Sequence, residues 1–235
     1  SDIFEPGSIF KVFTATAAME EGLVKEDDKF FCSGSTVVAG RRIKCWKTTG
    51  HGAENFVDIL KNSCNVGFME LGRRLGAEKL NKYIYLFGFG QKTKIDVNGE
   101  ASGIVTKTKN MTAQDVATTS FGQHDAISCI QYLTGFNAIA NGGKLITPHI
   151  MKEIVDYGDT NTKKVLEKYS NYNERKIIEP AVAKQLRGYL EQVVESGGGK
   201  KAFIAGYHIA GKTGTAQKIS ETGPGYASQK YVSSF

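Results

Sequence analysis

Ser8-Ile9-Phe10-Lys11 opens a run, Ile9 to Glu21, in which Ile9, Phe10, Phe13 and Ala17 recur at helical spacing. The run stops at Gly22, a residue suited to the left-handed position past a helix end. This predicts a buried helix with a hydroxyl at its first turn and an amine three residues on, along the same face. Two remote strings give that pairing its meaning: Ser63-Cys64-Asn65, which precedes another predicted helix, and Lys212-Thr213-Gly214-Thr215, in a strand-like run near the C-terminus. Each alone is weak, because a lone Ser8 reads as a helix cap and a lone Lys11 as a surface charge. Their order and spacing form the S-x-x-K, S-x-N, K-T-G set of a serine acyl-transfer site.

The residue types suit that chemistry. A serine hydroxyl is a poor nucleophile until a base takes its proton, and Lys11 is placed to do so if desolvation and a nearby cation such as Lys212 disfavour its ammonium form. Ser63 can pass a proton onward to a leaving amine. Asn65 offers an amide to hold a peptide backbone. Lys212 and the hydroxyls of Thr213 and Thr215 suit a carboxylate, and Gly214 lets a substrate approach the strand closely.

The wider text resembles the transpeptidase domain of class B penicillin-binding proteins. Glu5-Pro6-Gly7-Ser8-Ile9-Phe10-Lys11 is similar to that family's E-P-G-S-x-F-K block, and Lys61-Asn62-Ser63-Cys64-Asn65 to its K/Q-x-S-x-N turn. Gly122-Gln123, the stretch Ala138 to Gly143, and Pro148-His149 resemble segments between its second and third motifs. Cys45-Trp46-Lys47 and Gly50-His51-Gly52 look most like the subgroup of Gram-positive spore formers that works in division or cortex synthesis. The resemblance implies an α+β fold of the penicillin-binding/β-lactamase-like kind, an antiparallel sheet flanked by helices plus a mostly helical subdomain. It implies a single transpeptidase domain over residues 1–235, truncated at both ends. It further implies a peptidoglycan D,D-transpeptidase acting through a Ser8 acyl-enzyme and inhibited by β-lactams, with the backbone N–H groups of Ser8 and Thr215 as oxyanion hole. Expected partners are stem peptides, β-lactams and a division or sporulation glycosyltransferase, at the extracytoplasmic face of a membrane reached through an N-terminal anchor outside this chain. Two other readings stay open: a non-catalytic β-lactam sensor or scaffold, and a D,D-carboxypeptidase.

Composition agrees with a folded domain and narrows the partners. The chain has 235 residues, 40% hydrophobic and 23% charged, enough for a well-buried core. No run approaches the ~20 apolar residues of a membrane span. The net charge is +6, but lysines and arginines are scattered among acids with no basic stripe interleaved with aromatics, which argues against nucleic acid.

Two features compete with this reading. Glu78-Lys79-Leu80-Asn81 matches the E-x-x-L-N string of hydrolytic β-lactamases, but it follows Ser63 by fifteen residues on a predicted amphipathic helix and reads as a solvated face. Cys32, Cys45 and His51 have a spacing compatible with Zn²⁺ ligation. A Cys32–Cys45 disulfide or simple burial of both thiols fits as well. Where the family has G-Q-G followed by T-P, this chain has Gly122-Gln123-His124-Asp125, so His124 or Asp125 would complete a structural zinc site. Cys64 is set aside as a ligand. No cofactor is needed for the acyl transfer.

For the remaining elements, the pattern predicts short helices over 56–60, 66–75, 77–87, 112–120, 130–141 and 180–195. Strands are expected over 144–146, 150–155, 207–217 and 231–235. Residues 30–52 read as a hairpin or loop, and 156–176 and 219–229 as loops.

Overall fold

The structure, a computed structural model, describes residues 2–158, 162–169, 173–219 and 225–235. Among the described residues there are six α-helices: α1 (Lys11–Glu20), α2 (Phe56–Lys61), α3 (Asn65–Leu86), α4 (Ala113–Thr119), α5 (Cys129–Ala140) and α6 (Pro180–Ser196). Among the described residues the strands form six two-stranded ladders, all antiparallel. The mixture of helices and antiparallel strands is the expected α+β class, although the strands are short ladders and not one continuous sheet.

Helix α1 is the centre. Eight of its ten residues are buried, and its small Ala15, Ala17 and Ala18 let α3 and α6 pack closely against it. Phe13 meets Phe87 and Phe89 edge-on at 4.8 Å between ring centroids, which ties α1 to the end of α3. Capping decides where three helices begin. Asn55 with Asp58, Thr112 with Asp115 and Ser128 with Gln131 each form a reciprocal capping box at the heads of α2, α4 and α5.

Some elements differ from the sequence reading. The helices predicted over 66–75 and 77–87 are one run, α3, interrupted at Gly76, whose backbone (φ 68°, ψ 175°) leaves the helical region. The predicted loop 156–176 contains strand Lys164–Lys168 and ends in strand Glu174–Lys176. Every residue of these strands is exposed, so no buried face writes a period-2 pattern into the sequence. The strand expected from Tyr207 begins only at Gly214, and Tyr226 to Gln229 join the last strand, Tyr226–Ser234, instead of a loop. Part of that predicted loop, 220–224, lies outside the described residues. No described helix is long and apolar enough to cross a membrane.

Candidate active site

A single 3₁₀ turn, Gly7–Phe10, leads into α1 and carries Ser8. Gly7 holds a left-handed backbone (φ 58°) and donates its amide to Gly122 O at 2.8 Å. A Cβ built on Gly122 would lie 1.9 Å from Gly7 O, so only glycine permits this contact. This explains Gly122-Gln123 as the seat beneath the nucleophile's turn. Ser63 sits in the turn between α2 and α3 with φ 53°, a conformation rare for a non-glycine residue and common at functional sites. Lys212 to Thr215 lead into strand Gly214–Ile219, which packs against the Ser8 turn. A Cβ on Gly214 would come within 2.5 Å of Ser234 Oγ and 2.7 Å of Ile9 Cγ2, so a side chain there would have to displace both neighbours.

These pieces converge on Lys11. Its Nζ lies 2.6 Å from Asn65 Oδ1, 2.7 Å from Ser63 O, 3.0 Å from Ser8 Oγ and 3.1 Å from Ser63 Oγ. The two shortest contacts are to pure acceptors and each needs an N–H from the lysine. A neutral amine has two N–H groups, so it satisfies both and turns its lone pair to a serine hydroxyl. Burial, and then the nearby Lys212 charge, push the Lys11 ammonium well below its ordinary range. Lys212, 2% exposed, donates to Ser63 Oγ at 3.0 Å and to Thr213 O at 2.9 Å. Burial brings its pKa down to about 7. A cavity of about 410 Å³ opens over this group, lined by Ser8, Ser63, Asn65, Thr213, Gly214 and Thr215 among others. A larger groove of about 780 Å³, between the 35–38 strand, α3 and α4, holds none of the motif residues, so the chemistry and not the volume marks the site.

Two residues that the sequence reading did not assign to the site belong beside it. Trp46, 61% exposed at the cavity mouth, donates its indole N–H to Asn62 O at 3.0 Å and Ser63 O at 3.1 Å. It thus braces the carbonyl that Lys11 also uses. The second is Cys64. Its side chain points into the core between the cleft-facing Ser63 and Asn65, and it joins Cys32, Cys45 and His51 with all four ligand atoms within 4.8 Å of one another. A tetrahedral zinc with thiolates at ~2.3 Å sets its sulfurs about 3.8 Å apart, so three thiols and an imidazole in this space fit that ion. The buried His51 Nε2 has no hydrogen-bond partner among the described residues. Cys45 Sγ lies 3.7 Å from His51 Nδ1. The Cys64 thiol and the backbone amides of Lys47, Asn65 and Val66 draw the Cys45 thiol well below its ordinary range, despite burial, while the same pairing pushes that of Cys64 up. All four cysteines are free thiols.

The structure separates His124 and Asp125 from this cluster. His124 is exposed and faces Thr106 Oγ1 at 2.9 Å and Asp115 Oδ1 at 3.6 Å. Asp125 is buried and takes the Thr106 amide at 3.1 Å, and burial raises its carboxyl to about 6. The family departure at 122–125 therefore borders the cleft without reaching the sulfurs. Cys64 takes the fourth position because a residue between two cleft-facing neighbours must turn the other way. Glu78 is exposed and Asn81 is buried against Thr106 O, and neither lines the cavity.

The penicillin binding protein transpeptidase domain family matches residues 1–235. The chain belongs to that family. It is 46% identical over 219 residues to stage V sporulation protein D of Bacillus subtilis, covering 93% of this chain and 33% of that protein. To penicillin-binding protein PbpB of Mycolicibacterium smegmatis it is 31% identical, over 94% of this chain and 34% of the other. Penicillin binding protein 3 from Mycobacterium tuberculosis superposes with a TM-score of 0.89 at 29% identity, over 99% of this chain and 53% of that one. The same protein has been solved with ampicillin. The chain thus spans about a third of the length of the named relatives it matches.

Proposed function

We propose that this domain is a serine D,D-transpeptidase that cross-links peptidoglycan stem peptides and is acylated by β-lactams. The observation that carries the reading is Lys11 Nζ within 2.6–3.1 Å of Ser8, Ser63 and Asn65, with Lys212 on the far side of Ser63. In the proposed sequence, the terminal carboxylate of a D-alanyl-D-alanine stem lies on Lys212, Thr213 and Thr215. Neutral Lys11 takes the Ser8 proton as Oγ attacks the penultimate carbonyl, whose oxygen gains charge between the N–H groups of Ser8 and Thr215. Collapse breaks the peptide bond, and the departing D-alanine amine receives its proton through Ser63. An acceptor stem amine then attacks the Ser8 ester, forms the new peptide bond and returns Oγ its proton. A β-lactam follows the first half alone, its ring amide opening on Ser8.

Fluorescent penicillin tests this: stable label on the native chain and none on Ser8→Ala is expected. Rapid loss of label indicates a hydrolase, and release of D-alanine to water alone indicates a carboxypeptidase. Labelling without any turnover of stem peptide and amine indicates a sensor or scaffold.

Peptidoglycan lies outside the cell membrane, so the domain is assigned to the extracytoplasmic face, held there by a membrane anchor as the family resemblance implies. A division or sporulation glycosyltransferase is its expected partner on the same ground. We further assign a structural zinc to Cys32, Cys45, Cys64 and His51. It would fix the turn that presents Ser63 and Asn65 and supply no step of the acyl transfer. Elemental analysis should find about one zinc per chain, lost in Cys45→Ser; metal content unchanged by that substitution removes Cys45 from the site.

A further inference from the structure

The catalytic cavity continues into a second groove of about 730 Å³, and the two share Trp46, Asn65, Phe121, Gln123 and Thr215. Direction along it is set by strand Gly214–Ile219. Thr213 lies at the catalytic end, where the departing residue's carboxylate is gripped, while Gln217, Tyr226 and Tyr231 line the far end. A peptide laid along this strand with its carbonyl at Ser8 therefore sends its acyl half into the second groove.

The wall facing that half is unusually charged. Hairpin Ser35–Val38/Arg41–Lys44 runs its second strand along the groove, with Arg42 and Lys44 on one face of that strand and Arg41 on the other, all exposed. Its tip is tied to α4 by Gln114 Nε2 donating to Ala39 O at 3.3 Å. None of the three cations forms an ion pair among the described residues, and Arg42 makes only a hydrogen bond to Ser35 Oγ at 3.0 Å. The two acids on the same groove are engaged elsewhere. Glu5 accepts the Tyr226 hydroxyl and the His124 amide, and Asp115 accepts the Thr112 amide and hydroxyl and faces His124. Three cations on one strand at the cleft edge, with no ion pair among the described residues, outnumber the two acids of the groove, whose oxygens are already taken by other donors, and leave this edge favourable to an anion.

We propose that Arg41, Arg42 and Lys44 bind a carboxylate carried on the acyl half of the donor peptide, making this hairpin a specificity wall for acidic stems. The site would then grip its substrate by two carboxylates at opposite ends, one on Lys212 and the threonines and one on the hairpin. The inference rests on the acyl-transfer reading of Ser8 and adds a substrate class to it.

The test uses the full chain and two matched donors ending in D-alanyl-D-alanine, with either a free carboxylate or its carboxamide on the acyl-side residue. Acylation of Ser8 is followed by mass spectrometry without an acceptor. At low ionic strength the carboxylate donor should acylate about tenfold faster in kcat/KM, with the advantage shrinking in high salt. Neutralising the wall (R41Q, R42Q and K44Q together) should erase that advantage and leave the carboxamide donor and penicillin within about twofold of the native rate. Equal rates for both donors, or equal loss of both in the variant, overturns the wall. Selectivity that emerges only once an acceptor amine is added overturns the donor assignment and moves the carboxylate to the acceptor. If native Ser8 is acylated by neither donor nor penicillin, the acyl-transfer reading itself fails. Penicillin labelling without donor selectivity sinks the wall alone.

Discussion

Two lysines buried close to one another give the site its pH dependence. Lys212, at about 7, is neutral in the empty site under mildly alkaline conditions, and a neutral amine grips a carboxylate poorly. For donors with a terminal carboxylate, kcat/KM should fall by up to tenfold for each pH unit above about 7. A donor with that carboxylate replaced by an amide should lack this limb. The same shift has a consequence for stability. Between about 7 and the ordinary 10.5 the unfolded chain holds a proton on residue 212 that the folded chain lacks, so stability rises with pH across that window. Lys11, lowered in the same direction, adds to it. Urea midpoints should climb from pH 7 to pH 9, and Lys212→Met should flatten the climb; a decline would contradict the burial account.

At the scale of elements, the informative breaks are glycines. Gly76 interrupts α3 in a backbone region that side chains rarely enter, yet a Cβ there meets nothing within 4 Å. Gly76→Ala should therefore cost ~1–3 kcal/mol through backbone strain alone, read from chemical denaturation, with penicillin acylation of the folded fraction unchanged. Gly122→Ala is the opposite case, because its methyl would strike Gly7 O at 1.9 Å. That variant should lose acylation by a hundredfold or more in whatever fraction folds, since the turn carrying Ser8 must move. The sequence announced α1 by its apolar spacing and Gly22, and helices were expected where α2 and α4 through α6 lie. It was silent where an element buries no face: strand Lys164–Lys168 is exposed throughout, so pairing with Glu153–Asp156 alone makes it a strand. Tyr207 to Thr213 failed in the other direction, its alternation lying in irregular backbone with no ladder partner among the described residues.

Over the whole molecule, three motifs more than two hundred residues apart from first to last were legible because acyl transfer fixes both their residue types and their order. The sulfur cluster was half legible. Cys32, Cys45 and His51 stood out by spacing, but Cys64 was hidden inside a motif already given another meaning, and only the turn's geometry sends its side chain to the core, fully buried. The cluster joins the 30–54 segment to the head of α3, so removing the proposed zinc should be felt in both fold and chemistry. Chelation should lower stability by about 2 kcal/mol or more, roughly 4–8 °C in Tm for a chain of this size. Cys64→Ser should do the same and slow Ser8 acylation in parallel; a thermal shift without any effect on acylation would confine the cluster to a structural role remote from Ser63. Trp46 offers a way to watch these events. It is the sole tryptophan in the sequence, half in water, edge-on to His51 at 5.3 Å between centroids and hydrogen-bonded to the carbonyl of Ser63. Its emission is an intrinsic optical gauge, free of any dye, in which ion loading on one flank and antibiotic capture on the other can be timed in a stopped-flow trace.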